Sequence, residues 1–431
     1  MRRIAAVERL RNSLTAVPLI GMLVGWLLAR LLAGRELHDS IREQVDEWYS
    51  TVTGSQDTWI WFSADTFQTV TGTVATAMLT FIGVVFSLTI LGLQVASSQL
   101  SPRIMRTFVR SNVVTATLAV FMATFVYAIT TLSAIQPGNE AVDPFEPFIA
   151  YYVLLVLVGA TLVMFIGYVS HVVRLIRIHH VLDQVVQETS QAISRADHQV
   201  QERRDVAAPA TSPVTALVTA GRHGVVNLVD LHALAAIGDR TDTRIHLRAR
   251  VGEHLAAPQV LAEVVGGSGS ALDEVRRHVH LAPDRTVRQD PAFGLRQIVD
   301  VATRALSPAV NDPTTAVQAI DRITELLFDL AGRPDPPTHW LGSSGVVRVV
   351  QPVHSWEELV DLAFDEIRQF GAGSIQVSRR LAAALDDLAA ATEPRRRAPL
   401  ERQRAQLDDT VRALHPGNLH HRLTPDRSGV G

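Results

Sequence analysis

Hydrophobic positions follow two patterns along the chain. Up to about residue 175 they form long unbroken runs, and beyond it they recur at helical spacing or alternate as in strands. Four runs stand out: 14–33, 71–96, 113–134 and 148–173. Each is close to the roughly 20 apolar residues that cross a bilayer core. They predict an integral membrane, mainly α protein with a four-transmembrane-helix bundle over residues 1–175. Arginines precede the first run, as in a signal peptide. The run is long for a signal core and no Ala-x-Ala cleavage site follows, so it reads as an uncleaved anchor.

The second run is not uniformly apolar. Thr69, Thr73, Thr76, Thr80, Gly83, Ser87 and Gln94 recur at helical spacing and share one face, while Val, Leu, Ile and Phe occupy the rest. Polar groups are costly in hydrocarbon, so such a stripe is hidden from lipid. Two readings follow. Small residues and hydroxyls pack helix against helix, or the face forms a hydrated pore wall with Thr73, Thr76, Thr80, Gly83, Ser87 and Gln94 as pore-lining candidates. The second and third runs carry no Asp, Glu, Arg or His, which argues against a proton-coupled carrier.

Past the fourth run, Val172, Leu175, Ile176, His179, Leu182 and Val186 keep helical period, so residues 176–212 read as a helical extension followed by a linker, "DVAAPATSP". Residues 213–270 carry short strand-like runs at Val225–Val229, Arg244–Arg250 and Val260–Val265, punctuated by glycines, with a short helix over Leu231–Ile237. They predict a small β-rich, barrel-like subdomain within a cytoplasmic α+β region. "RARVGEHLAAPQVLAEVV" resembles the turn of a biotinyl/lipoyl-like barrel, but the chain has no lysine to carry a prosthetic group. Residues 271–414 return to helical period as a helical subdomain. Pro291 suits a first helical turn, a short strand "GVVRVVQP" interrupts, and Ser355 with Glu358 matches a capping box. The tail, 415–431, is expected to be disordered.

Charge orders the apolar runs. Arg2, Arg3, Arg9 and Arg11 precede the first, acids dominate between the first and second, and Arg103, Arg106 and Arg110 lie between the second and third. Glu140, Asp143 and Glu146 precede the fourth, and Arg174 and Arg177 follow it. The positive-inside rule places both termini in the cytoplasm, as expected of a multi-pass protein of a bacterial inner membrane. Trp59, Trp61, Tyr151 and Tyr152 suit the outer aromatic belt. Of the 431 residues 47% are hydrophobic and the formal charge is −3, so no global field points to nucleic acid. There is no cysteine, which removes disulfides, thiolate nucleophiles and cysteine metal sites. Without lysine, P-loop and Schiff-base chemistry are excluded too.

"FSLTILGLQVASSQLSPR" (86–103) and "QDPAFGLRQIVDVATRALSPAVNDPTTA" (289–316), with the spans between them, resemble a bacterial family of predicted membrane proteins called domain of unknown function twenty-two fifty-four. The resemblance covers about residues 10–410 and implies an architecture, with no catalytic residue to carry over. The second motif holds a dense corner, "SPAVNDPTTA". Pro308 stops one helix, and Asp312 with Pro313 starts the next. Asp290, Pro308, Asn311, Asp312 and Pro313 are therefore candidates for a structural corner or a ligand site. Asp290, Asn311 and Asp312 gathered together would suit a cation or polar ligand, and the helix start with Arg296 or Arg304 would suit an anion. His179–His180 and the His278/His280 pair lack the patterns of a metal site. No nucleophile motif is present. The expectation is no enzyme, no cofactor and no metal, but an oligomeric inner-membrane channel or transport-related protein with a cytoplasmic regulatory domain. Its partners would be the lipid bilayer, further copies of the chain and an ion or small solute. The alternative is a membrane-anchored scaffold or sensor.

Overall fold

In the computed structural model the described residues are 16–34, 51, 64–99, 112–135, 147–176, 178–200, 213–267 and 272–414. The chain divides into two compact units, one of residues 1–98 and 102–177 and one of 99–101 and 178–431. The arginines and acids named between the first three runs and before the fourth, Arg177, Trp59, Trp61, residues 201–212 and the tail lie outside the described residues.

The first unit holds α1 (Ala16–Leu32), α2 (Ala64–Gln99), α3 (Asn112–Ala134) and α4 (Phe148–Ile176). Among the described residues three helices are long and apolar enough to cross a membrane: 65–94 in α2, 113–134 in α3 and 149–173 in α4. The sequence expectation of four spans meets a shorter α1. Its 17 residues reach about 25 Å, against a hydrocarbon core of roughly 30 Å. α1 nonetheless lies against α3 at very short range. A Cβ on Gly21 would stand 2.5 Å from the carbonyl oxygen of Ala119, and one on Gly25 would run into the carbonyl of Ala123. A Gly-x-x-x-Gly ridge thus faces an Ala-x-x-x-Ala ridge, the arrangement that lets two membrane helices bring their backbones together.

α2 packs through Met78, Ile82 and Val85 against Val114, Leu118 and Phe121 of α3 and Tyr168 of α4. Buried tyrosines tie the helices by hydrogen bonds. The Tyr168 hydroxyl donates to the Val85 carbonyl at 2.9 Å and lies 2.7 Å from the Thr89 hydroxyl. The Tyr127 hydroxyl of α3 donates to the Ala150 carbonyl of α4 at 2.9 Å. Phe81, Phe121 and Phe165 fill the space between, with Phe81 edge-on to Phe165 at 5.1 Å.

The second unit begins with α5 (Ile178–Val200) and continues through β1 (Val214–Thr219), β2 (Gly224–Val229), α6 (Leu231–Thr241), β3 (Arg244–Leu247), β4 (His254–Leu255), β5 (Val260–Val265), α7 (Leu272–Arg277) and β6 (Val279–Ala282). Then come α8 (Pro291–Ala305), α9 (Pro313–Ala331), β7 (His339–Leu341), β8 (Val347–Val350), α10 (Trp356–Gly371), α11 (Ile375–Ala391) and α12 (Ala398–Leu414). A five-stranded sheet runs β1-β5-β3-β8-β7 and a three-stranded one β4-β2-β6. The strand-rich segment therefore does not close on itself. β6 and β7 come from the stretch that read as helical, whereas β8 falls on the strand expected at "GVVRVVQP" and enters parallel to β3 with Ile245 opposite Val349. Both of those residues are fully buried, with Leu234 of α6 and Leu261 of β5 around them.

The helices α8 to α12 form the rest of the unit, with α5 against α8 and α9. Buried apolar stripes recur at the helical spacing expected of this stretch, with Ile298 and Ala302 on α8 and Ile320, Ile323 and Leu327 on α9 all buried. The α10 capping box forms: Ser355 Oγ accepts from the Glu358 N–H and the Glu358 carboxylate accepts from the Ser355 N–H. The last helical stretch breaks at Pro394, where a short 3₁₀ turn separates α11 from α12. The break places Arg396 at the end of α9. Its guanidinium donates to the carbonyls of Leu330, Ala331 and Arg333 and pairs with Asp335, so a cation closes the negative end of the helix.

Candidate functional site

The corner motif is built almost wholly from local hydrogen bonds. After Ala305 the chain turns through Ser307 and Pro308, and the Ser307 carbonyl accepts from both Val310 N (3.0 Å) and Asn311 N (2.9 Å). Asn311 takes a left-handed conformation, φ 47°, which its short polar side chain tolerates. Asp312 N then donates to the Ala305 carbonyl at 2.8 Å, closing the corner. The Asp312 carboxylate accepts from Thr315 N at 3.1 Å and from the Thr315 hydroxyl at 2.5 Å, and Pro313 occupies the first turn of α9. Arg296 is committed to Asp300 and Glu366, away from any role in anion capture at the α9 start.

Asp290 does not join this corner. It caps α8, and α8 is 15 residues long, so about 22 Å of helix separates it from Asn311 and Asp312. The gathering of these three residues expected from sequence is thus replaced by two separate caps of the same Asp-Pro type. Asp290 has a second partner that the spacing did not disclose. Its carboxylate accepts from Phe293 N at 3.1 Å and takes a two-pronged pair from Arg285, at 2.5 and 3.1 Å. The pair is sealed by Gly252, φ 95°, where a Cβ would overlap both Asp290 and Arg285. Arg285 also lies over the Phe293 ring at 5.0 Å.

The two caps should therefore differ in weight. Asp312→Ala loses a cap, about 1 kcal/mol. Asp290→Ala loses a cap and leaves Arg285 facing a buried hole, and is expected to cost about 2–3 kcal/mol after allowing for the partial exposure of Arg285. Thermal unfolding of the second unit in the full chain, followed by amide exchange in α8 and α9, should rank Asp290→Ala well below Asp312→Ala. Equal melting of the two variants would show that the Arg285 pair adds nothing.

The polar stripe of α2 has an unambiguous position. Thr73, Thr76, Thr80, Gly83, Ser87 and Gln94 are all exposed on the single chain. Residues two apart on a helix point about 200° apart, and the pairing is regular: Ala75, Met78, Ile82 and Val85 are buried, each two positions past a stripe residue. The stripe thus lies opposite the face that packs on α3 and α4. A Cβ on Gly83 would meet nothing within 4 Å. Among the described residues no other helix of the same chain covers the stripe.

The second unit also has a partly open cavity of about 360 Å³ between α5, the β2–α6 turn, the start of α8 and the segments on either side of the β7–β8 hairpin. Arg195, Arg250, Arg288, Arg333 and His354 reach its walls. Burial pushes the His354 imidazole below its usual range, with the Arg250 charge adding to the shift and Asp290 and Glu358 opposing it. No local pattern in the sequence marks this site, since its cations come from separate segments. Among the described residues no group of three or more His, Asp or Glu is placed to hold a metal; His280 lies on β6, and His278 stands 3.9 Å from Asp230 alone.

An uncharacterised protein of Mycobacterium bovis and one of Mycobacterium tuberculosis are each 31% identical over 340 residues, 77% of this chain. The alignment spans 65% of the length of each relative. No solved structure matches. The model of the predicted membrane protein family DUF2254 matches residues 11–387, and the chain belongs to that family.

Proposed function

We propose that the chain is an oligomeric channel or transport-related protein of a bacterial inner membrane, in which the polar face of α2 from several copies lines a path for an ion or small solute. In this reading α1 to α4 are four spans with both termini cytoplasmic, following the alternation of basic and acidic loops, and the second unit regulates the path. The observation that carries it is the outward stripe. Ser87 and Gln94 present a hydroxyl and an amide on the face of α2 that its own bundle leaves bare. Hydrocarbon gives such groups no partner, whereas a second copy or a water column does.

A second reading, a membrane-anchored scaffold or sensor without transport, draws on another observation. The hydroxyls of Thr73, Thr76 and Thr80 donate to the carbonyls of Thr69, Gly72 and Thr76 at 2.8, 3.0 and 3.2 Å, so their protons are satisfied inside the helix. Purified chain in liposomes separates the two. The channel reading expects flux of small ions above empty liposomes, with most of it lost in Thr80→Phe, whose ring would occupy the path. Flux equal in the variant and the wild type, or none under voltage, tension or added solute, overturns it in favour of the scaffold.

A further inference from the structure

We propose that the cavity of the second unit is a binding site for a small organic anion, one acidic group on an apolar body. The inference concerns a different site from the α2 stripe and stands whether or not the chain conducts.

The cavity has two kinds of wall. Leu231, Val251, Trp340 and Leu359 give it an apolar interior. Pro334, Pro336, Pro337 and Pro352 line it as well. Proline fixes its own backbone angle and carries no N–H, so this wall is stiff and leaves few donors to satisfy. A volume of about 360 Å³ lies at the lower end of the range for pockets that take small ligands, about 300–1,000 Å³.

The charge around this interior is one-sided. Four arginines line the cavity against a single carboxylate, Asp290. That carboxylate is occupied by Arg285 and by the start of α8. Arg250 is answered by Glu358 at 2.8 Å and Arg333 by Asp329 at 2.7 Å. Arg195 and Arg288 meet no carboxylate among the described residues. Arg195 instead donates to the Gln191 side chain at 3.1 Å and to the main-chain carbonyl of Arg288 at 3.5 Å, which ties the two residues to one rim. Two unneutralised guanidinium groups at the mouth of an apolar pocket suit a carboxylate or phosphate, which a guanidinium can take in two-pronged fashion. The apolar interior suits the body that carries it. A bare inorganic anion would leave that interior empty, and a neutral apolar molecule would leave the arginines unanswered.

The test uses the full chain in phosphatidylcholine nanodiscs and equilibrium dialysis of four probes: 1-naphthyl phosphate, 1-naphthoate, inorganic phosphate and 1-naphthalenemethanol. The expected result is saturable binding of one naphthyl anion per chain. Phosphate alone and the neutral alcohol should bind at least about tenfold more weakly, a difference of about 1.4 kcal/mol. Preference for naphthyl phosphate over naphthoate, or the reverse, identifies the acidic group and supports the site in either case. Arg195→Ala with Arg288→Ala should weaken the anion about tenfold or more, and Arg288→Glu should do so alone. Both residues are exposed, so the variants keep the fold, and an unchanged melting curve checks that they do. Absence of saturable binding to the wild type, or anion binding equal in wild type and both variants, overturns the proposal.

Discussion

Gly294→Leu is expected to cost the second unit about 3 kcal/mol or more, at the upper end of overpacking effects. α5 and α8 cross at this residue so closely that a Cβ on Gly294 would overlap the Thr189 hydroxyl and stand 2.8 Å from Thr189 Cβ. Thr189 cannot turn aside. It is fully buried, and its hydroxyl donates to the Val185 carbonyl at 2.6 Å. The neighbours are equally fixed, with Leu295 and Ile298 both fully buried on α8. Relief therefore requires the two helices to move apart, which would open the α5 wall of the cavity. Even Gly294→Ala should lower the melting temperature clearly. Pairing it with Thr189→Gly restores the space at the price of a glycine in α5, about 1 kcal/mol. A double-mutant cycle should thus give a large favourable coupling. Additive losses would mean that the two residues do not meet.

The same residue illustrates what the sequence discloses and what it withholds. Gly294 sits in "QDPAFGLRQ", where nothing within a few residues calls for a glycine; the reason is a residue on α5 more than a hundred positions earlier. Elements whose determinants are local were legible. Asp312 with Pro313, Ser355 with Glu358, and the stripes of α8 and α9 each encode a start or a face within a few residues, and the structure carries those features where the spacing puts them. β6 and β7 have only four and three residues, too few for a period-two pattern to stand out. They are strands because β2 and β8 present free edges to them. The Asp290–Arg285 pair was hidden for a related reason. Two residues five apart in an irregular segment have no fixed geometry until the Gly252 turn closes over them. The α2 stripe was legible as a stripe. Its direction was not, because periodicity gives the angle between faces and leaves open which face meets a neighbour.

In the first unit the largest effect is expected from Gly25→Leu. The carbonyls of Ala119 and Ala123 stand where Cβ atoms would be on Gly21 and Gly25, and a backbone carbonyl in a helix has no rotamer by which to yield. α1 must then back away from α3 along much of its length. Apolar helices in detergent lack a strong hydrophobic drive to stay together, so close van der Waals packing carries most of the α1–α3 association, and a leucine at its tightest point removes it. Amide exchange on the full chain in detergent provides the readout, since it resolves local opening element by element. Exchange should rise in α1 and in the facing turns of α3. It should stay unchanged in α8 and α9, which belong to the other unit. Gly294→Leu should give the converse pattern. Gly83→Leu serves as the control in the same membrane unit, because Gly83 has open space around it in the single chain. If Gly83→Leu leaves α1 protected and Gly25→Leu does not, the small-residue ridge holds α1 in place. Protection of α1 that survives Gly25→Leu would mean that α1 is held by other contacts and that the ridge is incidental.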